Sequence, residues 1–359
     1  MRNKLSFFHT TIMIYMFQSG VVILSMPHIL AYYFGTNGWL AVILISLIVN
    51  VNIGFIFLVY RLGKGRSVFE ILEQSVSKVI LFPLYIALAI LWTVLGSLVS
   101  KDYVHIFQLF SFPNTPPMLL TVLMGLLALM LLVKGIFVIE RAATIFFWLI
   151  IWMLLLLFAF SYDFEWVRLT PFVFKEGDNF LLGGLNLLKG FLGYELSLFL
   201  FPYSDKRTKL IQAVIIANVM ITLVYFITCF IAYGFYSLNQ LKGVLYPVID
   251  MMSYIKFPFV QRVENLFYGF FMFTNLFSTV AYVWAAKEAC QRVFKKVKPG
   301  ILAVVLIIIG FSAIAIPDVT GEVREWLAFL GFFEIGVAFI LPVLLILVLI
   351  TQRIMGGAR

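Results

Sequence analysis

Charge is what this sequence has least of. Asp, Glu, Lys and Arg together make up 12% of its 359 residues, against roughly 25% in soluble domains, which excludes an ordinary soluble fold. Cysteine is nearly missing: Cys229 lies in an apolar stretch and Cys290 in a basic one, so no disulfide framework is expected and both read as buried filler. The three histidines, His9, His28 and His105, are scattered among acid-poor surroundings and make no metal site of known spacing. Low-complexity runs, Walker sequences and a strand leading into GxGxxG are also missing, so energy from nucleotide hydrolysis is not encoded here. No nucleophile stands beside a base, no carboxylates are paired for catalysis, and there is no cofactor box. The expectation is a protein that is not an enzyme and needs no cofactor or metal.

Apolar residues fill the space that charge leaves. They form 63% of the chain, with 39 phenylalanines, and several runs reach the roughly 20 residues needed to cross hydrocarbon as a helix. Barrel strands would be about 10 residues long and alternate with period 2, whereas 119–133 and 301–316 are apolar on every side. The predicted fold class is therefore an all-α polytopic membrane protein. Ten transmembrane helices are expected, at about 9–34, 38–60, 80–104, 117–133, 142–160, 180–203, 210–236, 262–290, 300–316 and 326–350. Pro113, Pro116 and Pro117 break the chain between the third and fourth, and Pro171, Gly177 and Asp178 punctuate the approach to the sixth. Arg2 and Lys4 precede the first stretch as in a signal peptide. That stretch runs to about Phe34 without a small-residue cleavage site, so it reads as a retained helix. The longest connections, around 161–179 and 237–261, leave no room for a large soluble domain. One transmembrane permease-like domain over 1–359 is expected, with helices 1–5 at about 9–160 and helices 6–10 at about 180–350.

The formal charge of +9 acquires its meaning from position. With the N-terminus in the cytoplasm, 18 of the 26 Lys and Arg residues fall on the cytoplasmic side, among them Lys206 and Lys295. Seven, Lys175 and Lys242 included, fall outside, and Lys189 lies in a span. By the positive-inside rule both termini are cytoplasmic. The basic balance is then a topology signal and an attraction to anionic lipid, and implies no nucleic acid. Tyr162, Trp166, Tyr246 and Tyr254 in the outer loops suit an interfacial aromatic belt.

Ten spans divide as five plus five, and an odd count inverts the second set relative to the first. Inverted repeats of this kind place their sites at discontinuous helices in matching positions of the two halves. Helix 1 reads Gln18-Ser19-Gly20-Val21 and then Ser25-Met26-Pro27, a mid-membrane glycine followed by a proline suited to the first turn of a new helix. Helix 6 reads Lys189-Gly190-Phe191-Leu192-Gly193-Tyr194-Glu195, two glycines flanked by two charges. Breaks are expected in both, although glycine and proline also serve close packing alone. A half-helix beginning near Ser25 would offer N–H donors to a carboxylate, and one ending near Gln18 and Ser19 would offer carbonyls to an ammonium or a metal cation. A small zwitterion such as an amino acid matches both ends.

Lys189 and Glu195 each cost about 2.5–3.5 kcal/mol near the bilayer centre and should face protein or water. They read either as a pair straddling the break and active in recognition, or as a permanent clamp. Glu334 in helix 10 is a gating or proton-linked carboxylate, a partner of Arg324, or a solvated interfacial group. Thr274, Asn275, Ser278 and Thr279 in helix 8 form a candidate cation site beside the helix 1 carbonyls, without an acidic ligand and with hydroxyls that also bond back to their own helix. His28 is a candidate lining residue of the second half of helix 1, with His9 and His105 interfacial. Tyr85, Trp92 and Tyr103 of helix 3 would either wall a pocket opposite helices 1 and 6 or simply pack.

These residues carry a family resemblance. The ten spans, Gln18-Ser19-Gly20 with Leu24-Ser25-Met26-Pro27, and Gly190-Phe191-Leu192-Gly193-Tyr194-Glu195 before Leu200-Phe201-Pro202-Tyr203 resemble the spore germination permease family. Its members are the B subunits of GerA-type nutrient germinant receptors, within the amino acid/polyamine/organocation transporter superfamily. The resemblance covers essentially the whole chain. It implies a LeuT-like 5+5 inverted repeat in the spore inner membrane and assembly with an A-type membrane subunit and a C-type lipoprotein. It also implies sensing of a nutrient germinant, which the reading of the residues places at the breaks of helices 1 and 6. The substrate-binding residues are expected to be Gln18, Ser19, Gly20, Val21, Ser25, Gly190, Gly193 and Glu195. Two other functions use the same breaks: a proton-coupled amino acid permease and a water- or ion-conducting channel subunit.

Overall fold

The computed structural model describes residues 4–111, 113–171, 173–255, 263–316 and 319–356. Arg2, Lys256, Arg262 and Arg359, which enter the charge balance, lie outside the described residues.

Hydrocarbon offers no partner to a peptide group, so an apolar chain satisfies its backbone within each segment by becoming helical. The first predicted span is two helices, α1 (Phe7–Gln18) and α2 (Val22–Phe34), bent by 57° at the expected glycine. α3 (Leu40–Leu62) follows, then the short α4 (Val68–Glu73), then α5 (Lys78–Phe110), α6 (Pro117–Lys134) and α7 (Ile136–Ile151), which continues as a 3-10 stretch to Ser161. The sixth predicted span is α8 (Phe180–Lys189), a turn, and a 3-10 segment over Glu195–Tyr203. After α9 (Leu210–Phe235) the outer loop forms α10 (Leu238–Gly243) and α11 (Pro247–Ser253), and α12 (Val263–Val293), α13 (Pro299–Ala313) and α14 (Thr320–Gly356) complete the order. Among the described residues seven helices are long and apolar enough to span a bilayer alone, and the α1–α2 pair makes an eighth. The two shorter segments, α8 with its 3-10 continuation and α13, occupy the sixth and ninth predicted positions.

Several boundaries differ from expectation for local reasons. α2 starts at Val22 rather than near Ser25, so Pro27 lies inside the helix and not in its first turn. The hydroxyl of Ser25 returns to Val22 O at 3.3 Å instead of standing at a helix terminus. α7 begins at Ile136 rather than 142 because Gly135, at φ +83°, ends α6 and turns the chain in one residue. α5 runs on to Phe110 and α14 starts at Thr320, each about a turn and a half beyond the predicted end. The outer loop acquires helix where Ser237 and Gln240 form a capping box.

α5 and α12 share the most extensive helix contact, and α1 packs against α9 and α7. α6 and α13 lie at the periphery, with Leu126, Met130, Ile308 and Ile309 exposed as bilayer-facing side chains are. Away from the centre, two sets of hydrogen bonds join distant segments near the loops. In one, Leu5 N–H donates to Tyr203 O (3.1 Å), Thr208 Oγ1 to Leu5 O (2.7 Å) and Ser6 N–H to Glu140 Oε1 (2.9 Å). In the other, Thr36 and the 173–175 backbone exchange bonds of 2.9 Å, and Asn37 Nδ2 donates to Leu169 O at 3.0 Å.

Candidate functional site

The two breaks touch. α1 stops at Gln18, and the turn 190–194 separates α8 from its continuation. Gly193, at φ +117°, lies so close to α1 that a Cβ there would stand 2.6 Å from Phe17 O. Carbonyls freed by the interruptions are met by neighbouring helices, as membrane depth demands. Ser278 Oγ of α12 lies 3.3 Å from Phe17 O and 3.1 Å from Ser19 O. Tyr225 OH of α9 is 3.1 Å from Gln18 O and 2.8 Å from Gly190 O, so one hydroxyl spans both breaks. Gln18 Nε2 crosses to donate to Phe191 O at 3.0 Å.

Beside this junction lies a cavity of about 520 Å³, within the range usual for small-molecule sites. Gln18, Gly20, Val21 and Ser25 line it from the first break, Lys189 and Gly190 from the sixth helix, and Ser278 and Tyr282 from α12. His28 also lines it, its Nδ1 2.9 Å from Leu241 O. Asp102, Tyr246 and Arg324 line it as well, with Arg324 Nη2 donating to the Tyr246 hydroxyl and its guanidinium 5.1 Å from that ring. The walls are mostly apolar but carry one carboxyl and two cationic side chains.

Other expected site residues lie elsewhere. Ser19, whose N–H donates to Tyr15 O at 2.9 Å, is not among the residues lining the cavity. Thr274 Oγ1 and Asn275 Nδ2 bond back to Phe271 O at 2.7 and 3.2 Å, and Thr279 Oγ1 is buried without a described partner; only Ser278 reaches the helix 1 carbonyls. α5 faces the cavity with Leu95, Val99 and Asp102. Tyr103 instead donates to Tyr268 O, Trp92 to Glu334, and Tyr85 packs its ring on Phe69. His9 meets Thr144 Oγ1 at 2.8 Å, and His105 is buried within the protein.

The intramembrane charges are paired differently from either sequence reading. No described salt bridge joins Lys189 to Glu195. Lys189 lays its stem along Gly331 and its ammonium 4.5 Å over the Phe332 ring, a cation–π contact that partly replaces lost hydration. Glu195 turns the other way: Gly193 N–H donates to its Oε2 at 2.7 Å, and Tyr282 OH lies 3.4 Å from its Oε1. Its carboxyl meets that of Glu334, which is fully buried and takes a 2.8 Å bond from Trp92 Nε1. Arg324 is engaged with Tyr246 and is not the partner of Glu334.

Sequence reasoning passed over Asp102, Tyr225, Tyr282 and the inward role of Tyr246. Asp102 carried a usable signal, since an acid inside an apolar helix is a functional candidate by default. A predicted helix end at 104 disguised it as interfacial, whereas α5 continues to Phe110, about a turn and a half further. Tyr246 looked like a belt residue but is 7% exposed.

Broken first and sixth helices around a shared central cavity define a LeuT-like transporter fold, a 5+5 inverted repeat. Among solved structures the chain is similar to Mhp1, a nucleobase-cation-symport-1 family transporter in a closed conformation with bromovinylhydantoin bound. The TM-score is 0.64 over 92% of this chain and 75% of that one, at 13% identity, a likeness of fold. The chain belongs to the spore germination protein family, which it matches over residues 4–322. It is 25% identical over 307 residues to spore germination protein GerQB of Bacillus cereus, covering 82% of each chain. To spore germination protein B2 of Bacillus subtilis (strain 168) it is 26% identical over 269 residues, 73% of this chain and 72% of that one. The protein is thus a multi-pass membrane protein of a germination family with a transporter fold, and not an enzyme.

Proposed function

We propose that this chain is the B-type, nutrient-sensing subunit of a spore germinant receptor in the spore inner membrane. It acts as one permease-like domain with both termini cytoplasmic, alongside an A-type membrane subunit and a C-type lipoprotein. The germinant is a small zwitterion of the amino acid class, held in the cavity at the joined breaks. The observation that carries this reading is the composition of that cavity: one carboxyl, Asp102, and two cations, Lys189 and Arg324, in otherwise apolar walls. Asp102 receives the ammonium. The carboxylate is received by the leading N–H groups of α2 together with Lys189 or Arg324. Gln18, Gly20, Val21, Ser25 and Gly190 shape the floor, while Ser19, Gly193 and Glu195 hold the breaks in register.

Thermal-shift measurement on the purified chain with a panel of amino acids tests this. The expected result is stabilisation by one or a few of them, weakened about tenfold or more in Asp102→Asn and in Arg324→Met, as loss of a charge-assisted hydrogen bond entails. A panel without any stabilising amino acid, or binding unchanged in both variants, overturns the reading. Saturable, gradient-driven uptake of the bound compound into liposomes would instead assign the chain to the proton-coupled permeases.

A further inference from the structure

We propose that Glu195 and Glu334 share a single proton and form a membrane-embedded proton-binding site that locks the break of the sixth helix in the geometry seen here. The site is separate from the nutrient cavity, and the inference stands whatever that cavity binds. Glu195 and Glu334 are 2% and 0% exposed, and their carboxyls face each other. Carboxylate oxygens only accept, so a bond between two carboxyls needs a proton on one of them. The surrounding donors respect that arrangement. Gly193 N–H fills Glu195 Oε2 and Trp92 Nε1 fills Glu334 Oε2, at 2.7 and 2.8 Å, while Glu334 Oε1 receives no donor among the described residues. That oxygen is the one placed to carry the hydrogen.

No cation offsets the pair. Among the described residues no salt bridge reaches either acid, and Lys189 lies over the Phe332 ring. The titratable groups facing the acids are the hydroxyls of Tyr194 in the turn and Tyr282 on α12. From α5 the pair meets Trp92, and Asn52 of α3 holds the Tyr194 hydroxyl at 2.9 Å. Two ionised carboxylates in contact away from water repel strongly enough that they do not coexist there. Loss of the proton therefore separates them, and the two acids are not equally mobile. Glu334 belongs to the continuous α14, whereas Glu195 begins a 3-10 segment and is bonded to Gly193 in the non-helical turn. Glu195 moves, and the turn that touches Phe17 moves with it. Tyr282, which bonds Glu195 and also lines the cavity, carries the change to the cavity wall, so proton loading and cavity shape are reciprocally linked.

Two measurements on the full chain in nanodiscs test this. Infrared spectra at neutral pH should contain the carbonyl stretch of a buried protonated carboxyl, and the Glu195→Gln/Glu334→Gln double variant should lack it. Spectra that do not differ between the two overturn the shared proton. For the link to the break, Ser25→Cys is placed in a background with Cys229→Ala and Cys290→Ala, and its labelling rate by a soluble maleimide is followed from about pH 6 to about pH 9. The same rate in the double Gln variant corrects for the ionisation of the thiol. The ratio of the two should change by about threefold or more across that range, and a constant ratio overturns the coupling. Should the double variant not fold, Tyr282→Phe replaces it: the carboxyl band must persist while the pH profile of labelling flattens. Loss of the band or an unaltered profile then counts against the proposal.

Discussion

Two glycines that looked alike in the sequence have different duties. A Cβ at Gly20 would meet nothing nearer than Ser278 Oγ at 3.8 Å, and the residue lines the cavity. At Gly193 the backbone φ of +117° and the Phe17 carbonyl at 2.6 Å from a built Cβ leave no room for a side chain. Gly20→Leu should therefore fill the cavity and abolish ligand-induced stabilisation with little change in the melting temperature of the free protein. Gly193→Ala should lower that temperature outright, by the equivalent of about 1–3 kcal/mol, as read by thermal unfolding in detergent. Asp205, outside the spans, illustrates a residue whose role is purely local. Its carboxyl is held below the ordinary aspartate range chiefly by the Thr208 backbone N–H, with that of Arg207 adding to it. A depressed value means that the turn is supported at pH above the unfolded aspartate value and loses that support as pH falls through the folded one. Hydrogen exchange at residues 207–210 should accordingly quicken in Asp205→Ala at neutral pH, while the wild type shows the same loosening only on acidification.

At the scale of elements, the sixth helix is the informative one. Its break was legible from two glycines and two charges, because buried charge is costly enough to demand an explanation. The partner of each charge was not legible, because a six-residue separation across an unwound turn says nothing about which way either side chain leaves. Lys189 leaves toward Phe332 and Glu195 toward Glu334, both on α14 but about half a turn of helix apart. The two should therefore behave as independent sites. In a double-mutant cycle on thermal stability, Lys189→Met and Glu195→Gln should add to within about 0.5 kcal/mol, whereas a direct ion pair would give a coupling well above that. The first helix shows the complementary case, in which the break was anticipated but its second half begins at Val22 rather than near Ser25. The glycine interrupts the helix, and Pro27, inside α2, removes the N–H that would otherwise bond the Ile23 carbonyl.

For the whole molecule, beyond the bonds at the central junction, two further sets of bonds join distant segments near the loops. Leu5, Ser67, Glu140, Thr208, Arg292 and Gln352 take part in one set, and Thr36, Leu169, Lys175, Glu176 and Lys242 in the other. Cysteine labelling in sealed cells should reach positions 175 and 242 from outside and leave 206 and 295 protected. External labelling at 206 or 295 would defeat the ten-span topology.

Length and polarity alone determined that this chain crosses a membrane as helices, where the helices are interrupted, and how its loops divide by charge. Those properties follow from the cost of exposing peptide groups and charges to hydrocarbon, which each segment meets by itself. Only the tertiary structure decided which face of each helix points inward. A span apolar all round has no periodicity by which to rank its faces, since lipid and protein interior are equally apolar. The placement of Asp102 beside the cavity, the turning of Tyr246 inward, the meeting of Glu195 with Glu334 and the bridging of both breaks by Tyr225 all depend on helices far apart in sequence packing at one particular rotation.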